Sequence, residues 1–190
     1  MDNFMNYLHG LSPLTSEAKI SLKDVIRKKT YEKNDFIVRQ RSVWKQFYFI
    51  NEGLVKLFFI NEDKEFIMRF FSDGHVFTVL DSFIKQDYSS YAALALEPTS
   101  VSYISFDNLE RLCREYHCVE TAFRNILAIA IFNMMNRVKE MLEEDGLKRY
   151  HNFLTTNNYL MQRINLGDLA SYLGITQVSL SRIRAKKTFF

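Results

Sequence analysis

The hydrophobic period of this chain changes twice, and those changes constrain the fold more than any other feature. Between Tyr31 and Phe106 the apolar residues fall in short aromatic and β-branched runs: Phe36-Ile37-Val38, Phe47-Tyr48-Phe49-Ile50, Leu54 to Ile60 and Phe66 to Phe71. Clusters of turn residues separate them: Lys33-Asn34-Asp35, Asn51-Glu52-Gly53, Asn61-Glu62-Asp63 and Ser72-Asp73-Gly74. Two further strands fit 90–97 and 99–106. Six or more short strands at roughly ten-residue spacing, with no helical crossover between them, imply an antiparallel sandwich, barrel or jelly roll. The 17 Phe and 10 Tyr suit such a body, because flat rings pack well on a pleated surface. Helical patterns flank it, so the fold class is α+β. On the N-terminal side Thr15 caps a helix running to about Arg27, with Glu17 in its first turn and Lys28 and Lys29 at its end.

Beyond Phe106 the period is helical. A short helix covers Asp107 to about Tyr116, and a long one runs from Val119 to about Glu144. In the long helix Leu127, Ile131, Met134, Val138 and Met141 repeat at alternating spacings of four and three, a seam suited to dimerisation. Phe123, Ile126, Ile129 and Phe132 make a second strip. Two strips imply two things to bury against, the sheet and a partner helix; the alternative is a single broad core face. Glu143-Glu144-Asp145-Gly146 ends the helix and divides the chain into an effector-type domain (1–118), a dimerisation helix (119–145) and a tail (146–190).

The tail holds seven Lys or Arg against one acid, a net of +6, whereas residues 1–145 carry 18 basic and 21 acidic residues. Such asymmetry suggests a polyanion partner for the tail. Within it, Leu166, Leu169, Ala170 and Leu173 form the apolar face of one short helix, Gly174 supplies a tight turn and Thr176 caps a second helix. That second helix is apolar at Val178, Leu180 and Ile183 and polar at Gln177, Ser179, Ser181, Arg182 and Arg184. This is the helix-turn-helix pattern, whose second helix enters a DNA major groove. The other reading is a helical hairpin that docks to a protein.

The order jelly roll, long helix, helix-turn-helix, with Leu-Ala-Ser-Tyr-Leu-Gly-Ile-Thr at 169–176 and Leu-Ser-Arg-Ile-Arg at 180–184, resembles the Crp/Fnr family of bacterial transcription regulators over nearly the whole chain. The resemblance implies a cyclic-nucleotide-binding-like β-roll, a coiled-coil homodimer, a winged-helix or helix-turn-helix reader of double-stranded DNA, a small-molecule effector and contact with RNA polymerase. It also implies that Gln177, Val178 and Arg182 read bases, among a DNA-facing set of Thr176, Gln177, Val178, Ser179, Ser181, Arg182, Arg184, Lys186 and Lys187. Arg182 suits guanine, and Arg184, Lys186 and Lys187 suit phosphates. Val178 stands where the family commonly has Glu, so the operator should differ at that step. Any wing has to come from residues 160–166, which are short for a hairpin.

In nucleotide-binding relatives a Phe-Gly-Glu-Leu helix holds the ribose, and an Arg a few residues on holds the cyclic phosphate. Here the corresponding stretches are Phe77-Thr78-Val79-Leu80 and Tyr88-Ser89-Ser90-Tyr91, which puts Val79 and Ser89 at the Glu and Arg positions. A buried phosphate without its cation is unfavourable, so cAMP binding is expected to be lost, with Arg69 and Lys85 the substitutes to consider. The four His are scattered, so neither a metal nor another cofactor is expected. Cys113 and Cys118, placed in one helix, are too few for an iron–sulfur cluster or a disulfide scaffold. No nucleophile elbow, phosphate loop or HExxH is present, which argues against an enzyme. No unbroken apolar run reaches about 18 residues, and the first residues lack a signal-peptide pattern, so a cytoplasmic protein with no membrane partner is expected.

Overall fold

A computed structural model describes the backbone of residues 3–186 and side chains to Ala185; Lys187 and the side chain of Lys186, both assigned above to phosphate contacts, lie outside the described residues. Two helices open the fold, α1 (Asn3–Leu11) and α2 (Ser16–Val25). The Thr15 hydroxyl caps α2 by accepting from the Ala18 N–H at 3.2 Å. The helix stops at Val25, however, and Arg27–Tyr31 is a strand, β1, rather than a basic helix end. Arg27, Lys28 and Lys29 are exposed on a sheet edge, where charges discourage strand pairing with another molecule, and their polarity hides the strand from a hydrophobic scan.

The roll consists of two four-stranded sheets, β1-β8-β3-β6 and β2-β7-β4-β5, with every pairing antiparallel. The strands are β2 (Phe36–Val38), β3 (Gln46–Glu52), β4 (Leu54–Asn61), β5 (Lys64–Ser72), β6 (Val76–Phe77), β7 (Ala92–Ala95) and β8 (Thr99–Ser105). Strand β3 is buried on both faces. Phe47 and Phe49 stack on Phe4 of α1, at 6.3 and 5.3 Å between centroids, while Tyr48 stacks on Phe77 at 5.0 Å. Trp44, fully buried, meets Tyr48 and Phe77 edge-on. The aromatic abundance thus fills one layer between this sheet and the helices, another inside the roll and, through Phe58, Phe70, Tyr150 and Phe153, a third outside the second sheet.

Two of the turns with positive φ join successive strands of the roll. Glu62 and Asp63, at φ of 48° and 61°, form the two-residue loop of the β4–β5 hairpin. Gly53, at φ 118°, lets β3 pass into β4 against Thr99; a Cβ there would lie 2.7 Å from the Thr99 Cα.

After α3 (Leu80–Lys85) and α4 (Phe106–Glu115), helix α5 runs 27 residues, His117–Glu143. The two cysteines therefore sit in different helices, Cys113 in α4 and Cys118 in α5, because Tyr116 is extended between them. Val119, Ala122 and Ile126 bury the first half of α5 in the core, and helix contacts run to α1 and α4. The expectation on apolar length is also corrected. By length and composition alone α5 can cross a membrane, with a mean hydropathy of 1.3 over 18 residues. Scattered Glu and Arg break its apolar runs without lowering that mean enough.

Residues 146–186 are helical: α6 (Gly146–Asn157), a 3-10 turn (Asn158–Leu160), α7 (Leu166–Leu173) and α8 (Gln177–Lys186). Residues 160–166 close the 3-10 turn and lead into α7, so the segment left for a wing forms no hairpin. This helical lobe packs on the outside of the β2-β7-β4-β5 sheet. Leu54, Phe58, Ile67, Phe70 and Ala92 of the roll share one apolar cluster with Tyr150, Phe153, Leu160, Leu169, Ala170, Leu173 and Leu180.

Candidate nucleic-acid interface

The two-helix unit is built by its caps. Asn165 accepts from the Asp168 N–H at 2.8 Å and starts α7. Gly174, at φ 67°, returns its N–H to the last carbonyls of α7. The Thr176 hydroxyl accepts from the Ser179 N–H at 3.1 Å and lies 2.9 Å from the Ser179 hydroxyl, so both side chains are engaged in the cap of α8. Leu180, fully buried, and Ile183 turn toward α7. The opposite arc of α8 presents Gln177, Val178, Ser181, Arg182 and Arg184 to solvent. Gln177 additionally leans over Gly167, whose missing Cβ would otherwise lie 2.8 Å from the Gln177 Nε2.

The positive charge of the tail is less available than its count suggests. Arg149 is buried and donates from Nε to the Leu173 carbonyl at 2.9 Å and from Nη1 to the Glu144 carbonyl. Arg163 pairs with Glu97 at 2.5 Å and Asp73 at 3.1 Å, and donates to the Gly53 carbonyl at 3.0 Å. Burial pushes the Asp73 carboxyl up, but the Gly53 N–H and Arg163 outweigh it and hold its pKa below the ordinary value. The single acid of the tail, Asp168, is also turned inward. Lys56 of β4 bridges it at 3.1 Å and Glu65 at 2.7 Å. Next to that bridge the Ser171 hydroxyl donates to the Glu65 carbonyl at 2.8 Å and accepts from the Ile67 N–H at 3.1 Å, satisfying the free edge of β5. None of Lys56, Glu65, Arg163 or Ser171 was marked by the sequence, because, the Lys56–Glu65 pair apart, their partners lie 66 to 112 residues away.

The dimer seam on α5 divides. Leu127 is half-buried, whereas Ile131, Met134, Val138 and Met141 are exposed and continuous with Ile129, Phe132 and Met135. The two strips are therefore not two parallel faces: Phe123 and Ile126 pack on the body, whereas from Ile129 onward Ile131, Phe132, Met134, Met135, Val138, Met141 and Leu142 are all exposed. Met141 reaches the turn of the two-helix unit, with its Cε 2.9 Å from where a Cβ on Gly174 would lie. Arg137 sits 4.1 Å over the Tyr172 ring and donates to the Tyr172 carbonyl.

At the effector positions, Phe77, Val79 and Ser89 are buried, Thr78 donates to the Gln46 carbonyl at 3.2 Å, Leu80 opens α3 and Ser90 is exposed. Ser89 is tied into its turn, its hydroxyl accepting from the Tyr91 N–H at 2.9 Å and its backbone pairing with Arg41 and Ser42. Neither Val79 nor Ser89 carries charge. Arg69 lies elsewhere, on β5, and Lys85 is exposed at the end of α3.

Residues 28–116 match the cyclic nucleotide-binding domain family. No curated protein matches the chain in sequence. Among solved structures it is similar to FixK2 from Bradyrhizobium japonicum, with a TM-score of 0.76 at 19% identity over 85% of this chain and 84% of that one. It is similar to CLP, the c-di-GMP responsive global regulator of Xanthomonas campestris, with a TM-score of 0.71 at 16% identity over 92% of each. The catabolite activator protein of Thermus thermophilus follows at 0.59 and 19%, over 95% of this chain and 85% of that one. Residues 28–116 thus form a domain of the cyclic nucleotide-binding type, and the chain, with roll, long helix and helix-turn-helix in that order, has the fold of the Crp/Fnr transcription regulators.

Proposed function

We propose that this chain is a cytoplasmic, homodimeric, sequence-specific DNA-binding regulator and not an enzyme, with α8 as its reading helix. The observation that carries the proposal is the two-sidedness of α8: Leu180 and Ile183 anchor it, and Gln177, Val178, Ser181, Arg182 and Arg184 form an open polar and basic arc. Arg182 donates its fork to a guanine, Val178 contacts a thymine methyl, and Arg184 holds phosphate. The apolar surface of α5, where Phe132 is 65% and Met135 66% exposed, is covered by the same surface of a second copy, which sets two reading helices about 34 Å apart. RNA polymerase is a further partner in this reading.

The roll does not bind cAMP in this proposal. Val79 and Ser89 offer the phosphate no cation, and Trp44 and Phe77 fill the interior beside them.

The test is selection of duplex DNA by the purified protein, followed by anisotropy titrations across salt. A two-fold symmetric site is expected, bound with a log K against log salt slope of about −0.9 per phosphate contact. Arg182→Ala should relax discrimination at one base pair of each half-site, and Arg184→Ala should weaken all sequences alike. If no duplex is selected and neither substitution alters binding, the tail docks to a protein instead. Light scattering checks the dimer. A monomer that partitions into lipid vesicles would hand the α5 surface to a membrane. Millimolar cAMP should leave the melting temperature unchanged.

A further inference from the structure

The C-terminus of α7, like any helix end, leaves its last carbonyls without partners inside the helix. The chain that follows answers two of them: the Gly174 N–H donates to the Ser171 carbonyl and the Ile175 N–H to the Ala170 carbonyl, both at 3.1 Å. The last two, on Tyr172 and Leu173, are taken by arginines from other helices. Arg137 of α5 donates to the Tyr172 carbonyl, lies 4.1 Å over the Tyr172 ring and pairs with Glu140 at 2.7 Å. Arg149 of α6 donates to the Leu173 carbonyl at 2.9 Å and, from the same guanidinium, to the carbonyl of Glu144, the residue that ends α5. Positive charge at a helix C-terminus is favoured by the helix dipole.

The same turn is seated by close approach. Gly174 makes room for the Met141 thioether of α5, and a Cβ on Gly146, the first residue of α6, would lie 2.6 Å from Cγ2 of Ile175. The link between α5 and α6 is itself pinned. Asp145 accepts from the Lys148 N–H at 2.9 Å, and the Glu144 carboxylate accepts from the Asn152 amide at 2.7 Å. Arg149 is buried, and both of its acceptors are backbone carbonyls. An apolar side chain would fill such a place at lower cost; what the guanidinium adds is direction, because its rigid fork fixes one helix end against another.

We propose that Arg137 and Arg149 are positioning residues for DNA recognition, which clamp the two-helix unit to the end of α5 and so set the half-site separation that the homodimer accepts. The inference rests on the DNA-binding reading and deepens it. The clamp holds α7 by backbone carbonyls and uses no side chain of the outward arc of α8, so it acts on where α8 sits and not on which bases it reads. Lengthening an operator by one base pair moves a half-site by about 3.4 Å and turns it by about a tenth of a helical turn. A clamped unit cannot follow that movement, whereas a loosened one can.

The experiment takes the duplex selected by the full chain, inserts or deletes one and two central base pairs, and measures anisotropy titrations beside a duplex carrying a single half-site. The parent should lose at least about tenfold in affinity on a one-base-pair change. Arg137→Gln and Arg149→Gln should lose less than about threefold on the same change, with single half-site affinity within about twofold of the parent. Arg137→Lys, which can still donate to the Tyr172 carbonyl, should keep most of the parent's spacing preference, and Arg114→Gln, on the exposed face of α4, all of it. A parent indifferent to spacing, glutamine variants as strict as the parent, or an equal loss on the single half-site overturns the proposal. Selection of no duplex by the parent overturns the DNA-binding reading as well, an outcome seen before any variant is made. Should Arg149→Gln not fold, Arg137→Gln, whose side chain reaches solvent, decides.

Discussion

Replacing Lys56 with Met tests whether the helical lobe is locked to the roll by a buried charge bridge. The Lys56 and Asp168 side chains are 11% and 10% exposed, so the substitution strands a desolvated carboxylate. Breaking a buried pair from one side costs about 3–5 kcal/mol. Asp168 keeps the Asn165 amide at 2.9 Å, and Glu65, a third exposed, can turn to water, which places the cost near the lower end, about 3 kcal/mol. For a chain of this size that is a fall in melting temperature of about 6–12 °C. The measurement is urea and thermal unfolding of Lys56→Met, Asp168→Asn and the double variant. The double variant should recover about 2 kcal/mol relative to the sum of the singles, because it removes the stranded charge. Loss below 1 kcal/mol in Lys56→Met, or a double variant no better than additive, would refute the claim that the bridge is desolvated and coupled.

Three further outcomes follow from the geometry. Gly53→Ala forces a Cβ against the Thr99 backbone at a positive φ, and should cost at least 3 kcal/mol in chemical denaturation. Thr176→Val removes the cap of α8 and should cost about 1 kcal/mol, with a matching loss of helical signal at 222 nm on warming. His75 has a folded pKa below its unfolded value of 6.5, so the unfolded chain takes up the proton first as pH falls. Its share of stability is therefore complete above pH 6.5 and is lost below it; denaturation midpoints of His75→Gln should fall less steeply than those of the parent between pH 7 and pH 5.

The legible parts of this fold are those fixed by neighbours in sequence. Asn61-Glu62-Asp63 between two apolar runs gives away the β4–β5 hairpin, and Thr15, Gly174 and Thr176 mark helix ends that the structure reproduces. Strand β1 was hidden because Arg27-Lys28-Lys29 pairs with β8 on an edge that needs no apolar face. Helix α6 was hidden because Tyr150 and Phe153 are its only buried apolar residues, with Arg149 buried beside them. In the site, the exposed arc of α8 follows from helical periodicity alone. The commitment of Arg149, Arg163 and Asp168 does not, because each meets a partner that only the tertiary structure brings near, and counting charges overstated what the tail can offer a polyanion.

The shared cluster of Leu54, Phe58, Ile67 and Phe70 with Leu169, Ala170 and Leu173 makes the two-helix unit a poor spare part. A two-helix unit transplanted from a relative would bring the wrong knobs for this sheet and no hydroxyl for the edge of β5. A chimera would need its seat on the sheet redesigned before its specificity could be compared. Divergence within such a molecule is then channelled: the outward arc of α8 is free to vary, while the sheet-facing side of α7 drifts only in step with a strand more than a hundred residues away.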